Sequence, residues 1–255
     1  APKAGMNTDT TGILYTAPKT DVIRDQGPFR IHFDFPGRNR PDHDDHGYGP
    51  LATVAESYLD PDTLISMHPH RNDEIVSWVP AGVMRHDDRD GNSLVTDADH
   101  LLVMNSGREF WHEERTLASD PPLRMLQIFV RPHSLDLPPN IQHGPIPSPE
   151  RNQWRHLFGP EGSDAPFFVR NRVHFYDARL GAGESVALPS HEDWDTYLYV
   201  FEGTVDIEGN SLGRGESGLL VGKRGSTVSA QEESVLVAFL IDSDAEVTRQ
   251  GTIGR

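Results

Sequence analysis

Two short segments carry the residue types that could do chemistry: His68-Pro69-His70, and His112-Glu113-Glu114 about forty residues later. In a β-strand, residues two apart point to the same face, so His68 and His70 can look inward together, as can His112 and Glu114. Two neighbouring strands would then bring three imidazoles and one carboxylate to a common point. Imidazole suits Fe, Zn, Cu and Ni, and a set of His nitrogens plus one carboxylate with open positions is associated with non-haem Fe(II) oxygen chemistry. A single His is weak grounds for a ligand; two i,i+2 pairs are much stronger.

The elements that must position these residues are strands. The chain holds 23 Gly and 20 Pro, and few windows keep a 3.6-residue period beyond two turns. Segments 74–79, 101–104, 123–130, 196–201 and 235–241 are short, β-branched or aromatic, and bounded by turn residues. Asp90-Gly91-Asn92 and Glu208-Gly209-Asn210 read as hairpin tips. The proline-dense stretch 132–150 excludes central strands and reads as an extended connector. It divides the chain into a first unit, 1–131, which holds both His-rich pairs, and a second, 151–255. Ile75 to Val83 and Leu198 to Val205 share a strand, Gly, strand layout, which indicates internal duplication. The second copy has only His191 near the equivalent place and is expected to hold no metal. The fold expected is all-β, with two barrels in tandem.

With 23 Lys+Arg against 39 Asp+Glu, the net charge of −16 opposes binding to nucleic acid or anionic membrane. The absence of cysteine excludes disulfides, thiolate ligands and a Cys nucleophile. The opening APKAGMNTDT has no apolar leader core, and no stretch approaches the ~18 apolar residues of a membrane span, so a cytoplasmic location is expected. No phosphate-binding glycine loop, dinucleotide fingerprint or G-x-S-x-G elbow is present, which leaves nucleotide use and serine hydrolysis without support.

The run from His68 to Gly82, followed by Arg85-His86-Asp87-Asp88-Arg89-Asp90-Gly91-Asn92, resembles the pirin-like bicupins, where an HPHRGFET stretch precedes a strand and an H-x-D-S-x-G-like hairpin. Met104 to Glu114 aligns without a gap to that family's M-T-A-G-x-G-I-x-H-S-E. The resemblance covers roughly residues 20 to 240 and implies two cupin (double-stranded β-helix) domains. It also implies one metal in the N-terminal barrel on His68, His70, His112 and Glu114, most readily Fe(II), with Ni, Mn, Cu, Co or Zn as alternatives. The activity it implies is quercetin 2,3-dioxygenase: oxidative cleavage of a flavonol by O2, with Glu114 as catalytic base. The alternative from another class is a non-catalytic, iron-dependent redox regulator acting through a protein partner.

Departures from the family pattern are Glu109 for Gly, Glu113 for Ser, Asp73-Glu74 for Phe-Glu, and the lack of a Gly-Phe before His68. A Gly-to-Glu change is costly where positive φ is required. Glu113 should point away from the metal by alternation. Glu74, four residues past His70, is expected on the ligand face, orienting a ligand or water. His86 reads as part of a hairpin's outer face, Asp42-His43-Asp44-Asp45-His46 as a solvated loop, and Trp78, Phe110 and Trp111 as barrel core.

Overall fold

The computed structural model describes residues 12–191 and 193–255; the opening stretch read above lies outside them. Among the described residues, apart from the 3-10 turn at Pro36–Asn39, the regular elements are strands. No helix among the described residues is long and apolar enough to cross a membrane. The strands form two seven-stranded and two four-stranded sheets, one of each size in either half of the molecule. In the first half the large sheet runs Asn140–Pro145, His100–Asn105, Glu74–Ala81, Leu123–Val130, Leu51–Leu59, Phe29–Asp34 and Ile23–Asp25, and the small one Leu64–His70, Phe110–Arg115, Met84–Asp88 and Ser93–Thr96. The five strands expected from sequence all form. Both expected hairpin tips fall at strand junctions, with Gly91 at φ 90° and Gly209 at φ 77°.

Alternation sends each large sheet's two faces to different cores. Val54, Val76, Trp78 and Ile128 meet Phe158, Phe175, Tyr197 and Phe239 of the second half in a shared core between the barrels. On the opposite face, Ile31, Ala55, Ile75 and Phe129 join Phe110 inside the first barrel. Leu198, Val200 and Leu236 close on Val205, Leu212 and Val228 inside the second. Each large side chain contributes roughly 1.5–3 kcal/mol on burial, so the shared core dominates the union of the two barrels. Trp78 anchors it with a polar contact: its indole N–H donates to Asp177 Oδ2 at 2.9 Å, and Arg155 clamps the same carboxylate at 3.0 and 2.7 Å.

The proline-dense connector contributes Asn140–Pro145 to the sheet edge, where Pro145 costs no ladder bond. We propose 1–131, 132–150 and 151–255 as the division of the chain, and two segments cross it. Ile13–Ala17 pairs antiparallel with Ser217–Val221 in the second half's large sheet. In the other direction, the Thr248 amide donates to Pro132 O at 3.1 Å and the Thr252 amide to Arg71 O at 3.0 Å, returning the chain to the first barrel.

Candidate metal centre

His68 and His70 lie on Leu64–His70, which pairs antiparallel with Phe110–Arg115. The register places His70 opposite Phe110, His68 opposite His112, and Ile65 opposite Glu114. Three steps on one strand thus match two on the other, a β-bulge across Ser66 and Met67. The bulge resets alternation, letting Ile65 and both histidines border the same cavity despite their odd spacing. Phe110, His112 and Glu114 need no such device, because their buried positions alternate regularly with Trp111, Glu113 and Arg115.

The three imidazoles converge. His68 Nε2 lies 3.1 Å from both His70 Nε2 and His112 Nε2, and the three rings can offer one donor atom each within 4.8 Å of one another. The opposite ring nitrogens are already engaged: His68 Nδ1 donates to Ser66 O at 2.7 Å and His70 Nδ1 to Asp73 Oδ2 at 3.2 Å. With Nδ1 protonated, each Nε2 carries a bare lone pair, and two lone pairs at 3.1 Å repel unless a cation stands between them. At bonds of about 2.1 Å, donors at right angles around a metal lie about 3.0 Å apart, which this spacing fits. Burial, then the neighbouring His70 and His68, hold His112 in its neutral, ligating form. Glu114 is buried, with Oε1 3.6 Å from His112 Nε2 and both oxygens 3.0 Å from the Gln127 amide nitrogen.

A cavity of about 330 Å³ is bordered by His68, His70 and Glu114 together with the apolar side chains of Phe29, Phe33 and Phe129. The donor set and this cavity fit a resident divalent cation with room beside it for a flat organic molecule.

The pirin family model matches residues 23–130, and the quercetinase C-terminal cupin domain model matches residues 156–242. The chain belongs to the pirin-like bicupins. A pirin-like protein of Caulobacter vibrioides is 28% identical over 214 residues, spanning 83% of this chain and 90% of the relative. Quercetin 2,3-dioxygenase of Escherichia coli is 20% identical over 193 residues, 76% of this chain and 83% of that one. Among solved structures, the bacterial pirin YhhW of Escherichia coli in complex with nickel(II) superposes with a TM-score of 0.77 at 17% identity, over 90% of this chain and 99% of that one.

This pirin-like site differs from the sequence reading at several residues. His86 is fully buried, not on an outer face: Met84, His86 and Asp88 alternate inward, and His86 Nδ1 lies 3.3 Å from His112 Nδ1 while its Nε2 meets Asp88 Oδ2 at 2.7 Å. Glu74 is absent from the ligand face. The turn at Asn72, φ 54°, ends one strand before Glu74 starts another in the other sheet, so counting by twos from His70 fails there. Glu74 faces the second barrel and holds Arg170 and Asn105. Glu113 does point away, toward Arg115.

Glu109 incurs no backbone strain, since the positive φ falls on Gly107; Arg71 and Trp111 both donate to its carboxylate. Asp45 is a clamp rather than a solvated loop residue. Burial would raise its carboxyl, but the buried Arg131, at 2.7 and 2.8 Å, holds it at about 2. Of the three aromatics, Phe110 lies in the barrel, Trp78 between the barrels, and Trp111 under the Arg89 guanidinium at 3.7 Å. In the second barrel, His191 has company the motif comparison did not show: His174 lies 5.7 Å away between ring centroids, and His156 bonds His174 at 2.9 Å. Both come from earlier strands, Arg155–Pro160 and Val173–Leu180, outside the compared segments.

Sequence reasoning missed Asp73, the carboxylate that His70 donates to, and Gln127, the amide that holds Glu114. Asp73 stood out only as a departure from the family Phe; the signal that could have found Gln127 is a polar residue inside an apolar strand.

Proposed function

We propose that this chain is a mononuclear metal-dependent dioxygenase that cleaves flavonols such as quercetin, with one divalent cation, Fe(II) foremost, on His68, His70, His112 and Glu114. The observation that carries the reading is the opening of an aromatic-lined cavity directly onto His68, His70 and Glu114, with the His112 ring converging on the two histidines from behind. The Escherichia coli relative named quercetin 2,3-dioxygenase supports the reaction class. When bound, the cation supplies Lewis-acid polarisation of a hydroxyl and carbonyl and a site for O2 chemistry.

The chain's own residues do the rest. Phe29, Phe33 and Phe129 hold a flat aromatic ring system and exclude water from it. Glu114 takes the flavonol hydroxyl proton on a carboxylate oxygen, and Gln127 sets its orientation.

The test is to load the purified protein separately with Fe(II), Ni(II), Mn(II), Co(II), Cu(II) or Zn(II), and to follow loss of flavonol absorbance with O2 uptake and carbon monoxide release. Turnover with at least one metal is expected. A fully metallated protein that is inert with all of them would sink the enzyme reading and leave the redox regulator in its place.

A further inference from the structure

Asp73 has no exposed surface, and its carboxylate joins two parts of the molecule that are 180 residues apart in sequence. Oδ2 accepts the His70 Nδ1–H at 3.2 Å and the Ile253 amide at 3.1 Å, while Oδ1 accepts the Gly254 amide at 2.9 Å. Beside it the Arg71 amide donates to Thr252 Oγ1 at 2.8 Å. Upstream, Thr248 Oγ1 donates to Pro132 O at 2.8 Å and Arg249 pairs with Asp45. The close fit requires a glycine: a Cβ on Gly251 would stand 2.2 Å from Asp73 Oδ1. Ile253 packs against the barrel cluster containing Phe129, and Thr252 and Ile253 border the cavity shared by His68, His70 and Glu114.

We propose that residues 248–254 form a strap clasped to the metal centre through Asp73, so that strap docking and metal occupancy stabilise each other. The inference rests on the metal reading above. In it Asp73 is a positioning residue: by holding the Nδ1 proton it fixes the tautomer that aims the His70 Nε2 lone pair at the cation and raises its basicity. The two strap amides hold that carboxylate in place. A displaced strap leaves a buried carboxylate short of two charge-assisted hydrogen bonds, and it reorients away from His70. Because linkage is reciprocal, a cation that fixes His70 fixes the strap in turn. Ile253, carried on the strap, then forms a wall of the cavity only while the strap is docked.

Two measurements on the full chain test this. Hydrogen exchange over 248–254 is compared in metal-free and nickel-loaded wild type, and nickel affinity is measured by chelator competition in wild type, Gly251→Val and Asp73→Asn. Slower exchange on loading is expected, with affinity about 10- to 100-fold weaker in both variants, the usual effect of losing a ligand's hydrogen-bond partner. Exchange indifferent to nickel, or variants that hold nickel as tightly as wild type, would overturn the strap while leaving the metal centre intact. Wild type that binds no nickel overturns both. The exchange comparison needs no variant, so it decides the matter even if Gly251→Val does not fold.

Discussion

Gln127 presents one amide nitrogen to both carboxylate oxygens of Glu114, at 3.0 Å each. A group held symmetrically in this way cannot rotate about its last torsion without losing a charge-assisted bond, worth roughly 1.5–3 kcal/mol. Gln127→Leu removes the restraint while leaving the carboxylate itself. Metal content is expected to stay near that of wild type, with flavonol kcat lower by about tenfold, each 1.4 kcal/mol being a factor of ten. Steady-state kinetics on protein of known metal content checks this, and an unchanged kcat removes Gln127 from the mechanism.

The ligand assignment makes a stoichiometric claim. Elemental analysis should find about one metal per chain, lost in His70→Ala and His112→Ala and kept in His191→Ala. His86 belongs with the first two in direction, though less severely: with Asp88 behind it, it faces His112 Nδ1, and His86→Ala is expected to weaken metal binding about tenfold. Equal loss in His191→Ala would put the site in the other barrel.

Glu114→Gln keeps an oxygen donor of nearly the same shape and removes the proton acceptor. Metal is expected to be partly retained while flavonol oxygenation falls by roughly 10² to 10⁴, the contribution of a positioned base. A variant as fast as wild type would place the base elsewhere.

Away from the metal, Asp34 carries a testable pH dependence. Burial first, and the Glu56 charge second, push its carboxyl up to about 8, and its Oδ2 has no hydrogen-bond partner. The folded chain therefore keeps a proton there that the unfolded chain, with the ordinary value of 3.8, has lost. Below that lower value the two states hold the same proton. Between it and about 8 the folded state binds one more, so this group's contribution to stability falls as pH rises and is lowest above about 8. Asp34→Asn removes the titration. Thermal melts should show the variant gaining on wild type from pH 5 to pH 8, and a gap that stays constant over that range contradicts the assignment.

Much of the molecule is legible in the amino-acid sequence alone. Alternation and turn residues predicted the five strands and both hairpin tips because those features are local, and the convergence of His68, His70 and His112 could be read because a pairwise spacing survives within one strand. Counting failed wherever alternation is reset. The bulge across Ser66 and Met67 brings Ile65 to the ligand side, and the turn at Asn72 turns Glu74 away from it. His86 was misplaced because its neighbours Asp87 and Asp88 suggest water, whereas the Asp88 side chain is itself buried against His86 and Asn92. Asp73 and Gln127 owe their roles to contacts made across the fold, to which no spacing rule applies.

The exchange of segments between the barrels has a bearing on how the chain can be cut. Ile13–Ala17 completes the second half's sheet, and 248–254 returns to the first half. A protease that opens the connector near Ser148 would sever the peptide without parting the pieces, which should migrate together until denatured. Either piece made alone would be worse off: without Ile13–Ala17, the strand Ser217–Val221 becomes an unprotected edge that carries Leu219 and Leu220, an invitation to aggregate. The tandem repeat, two barrels by architecture, is in this sense a single unit of assembly.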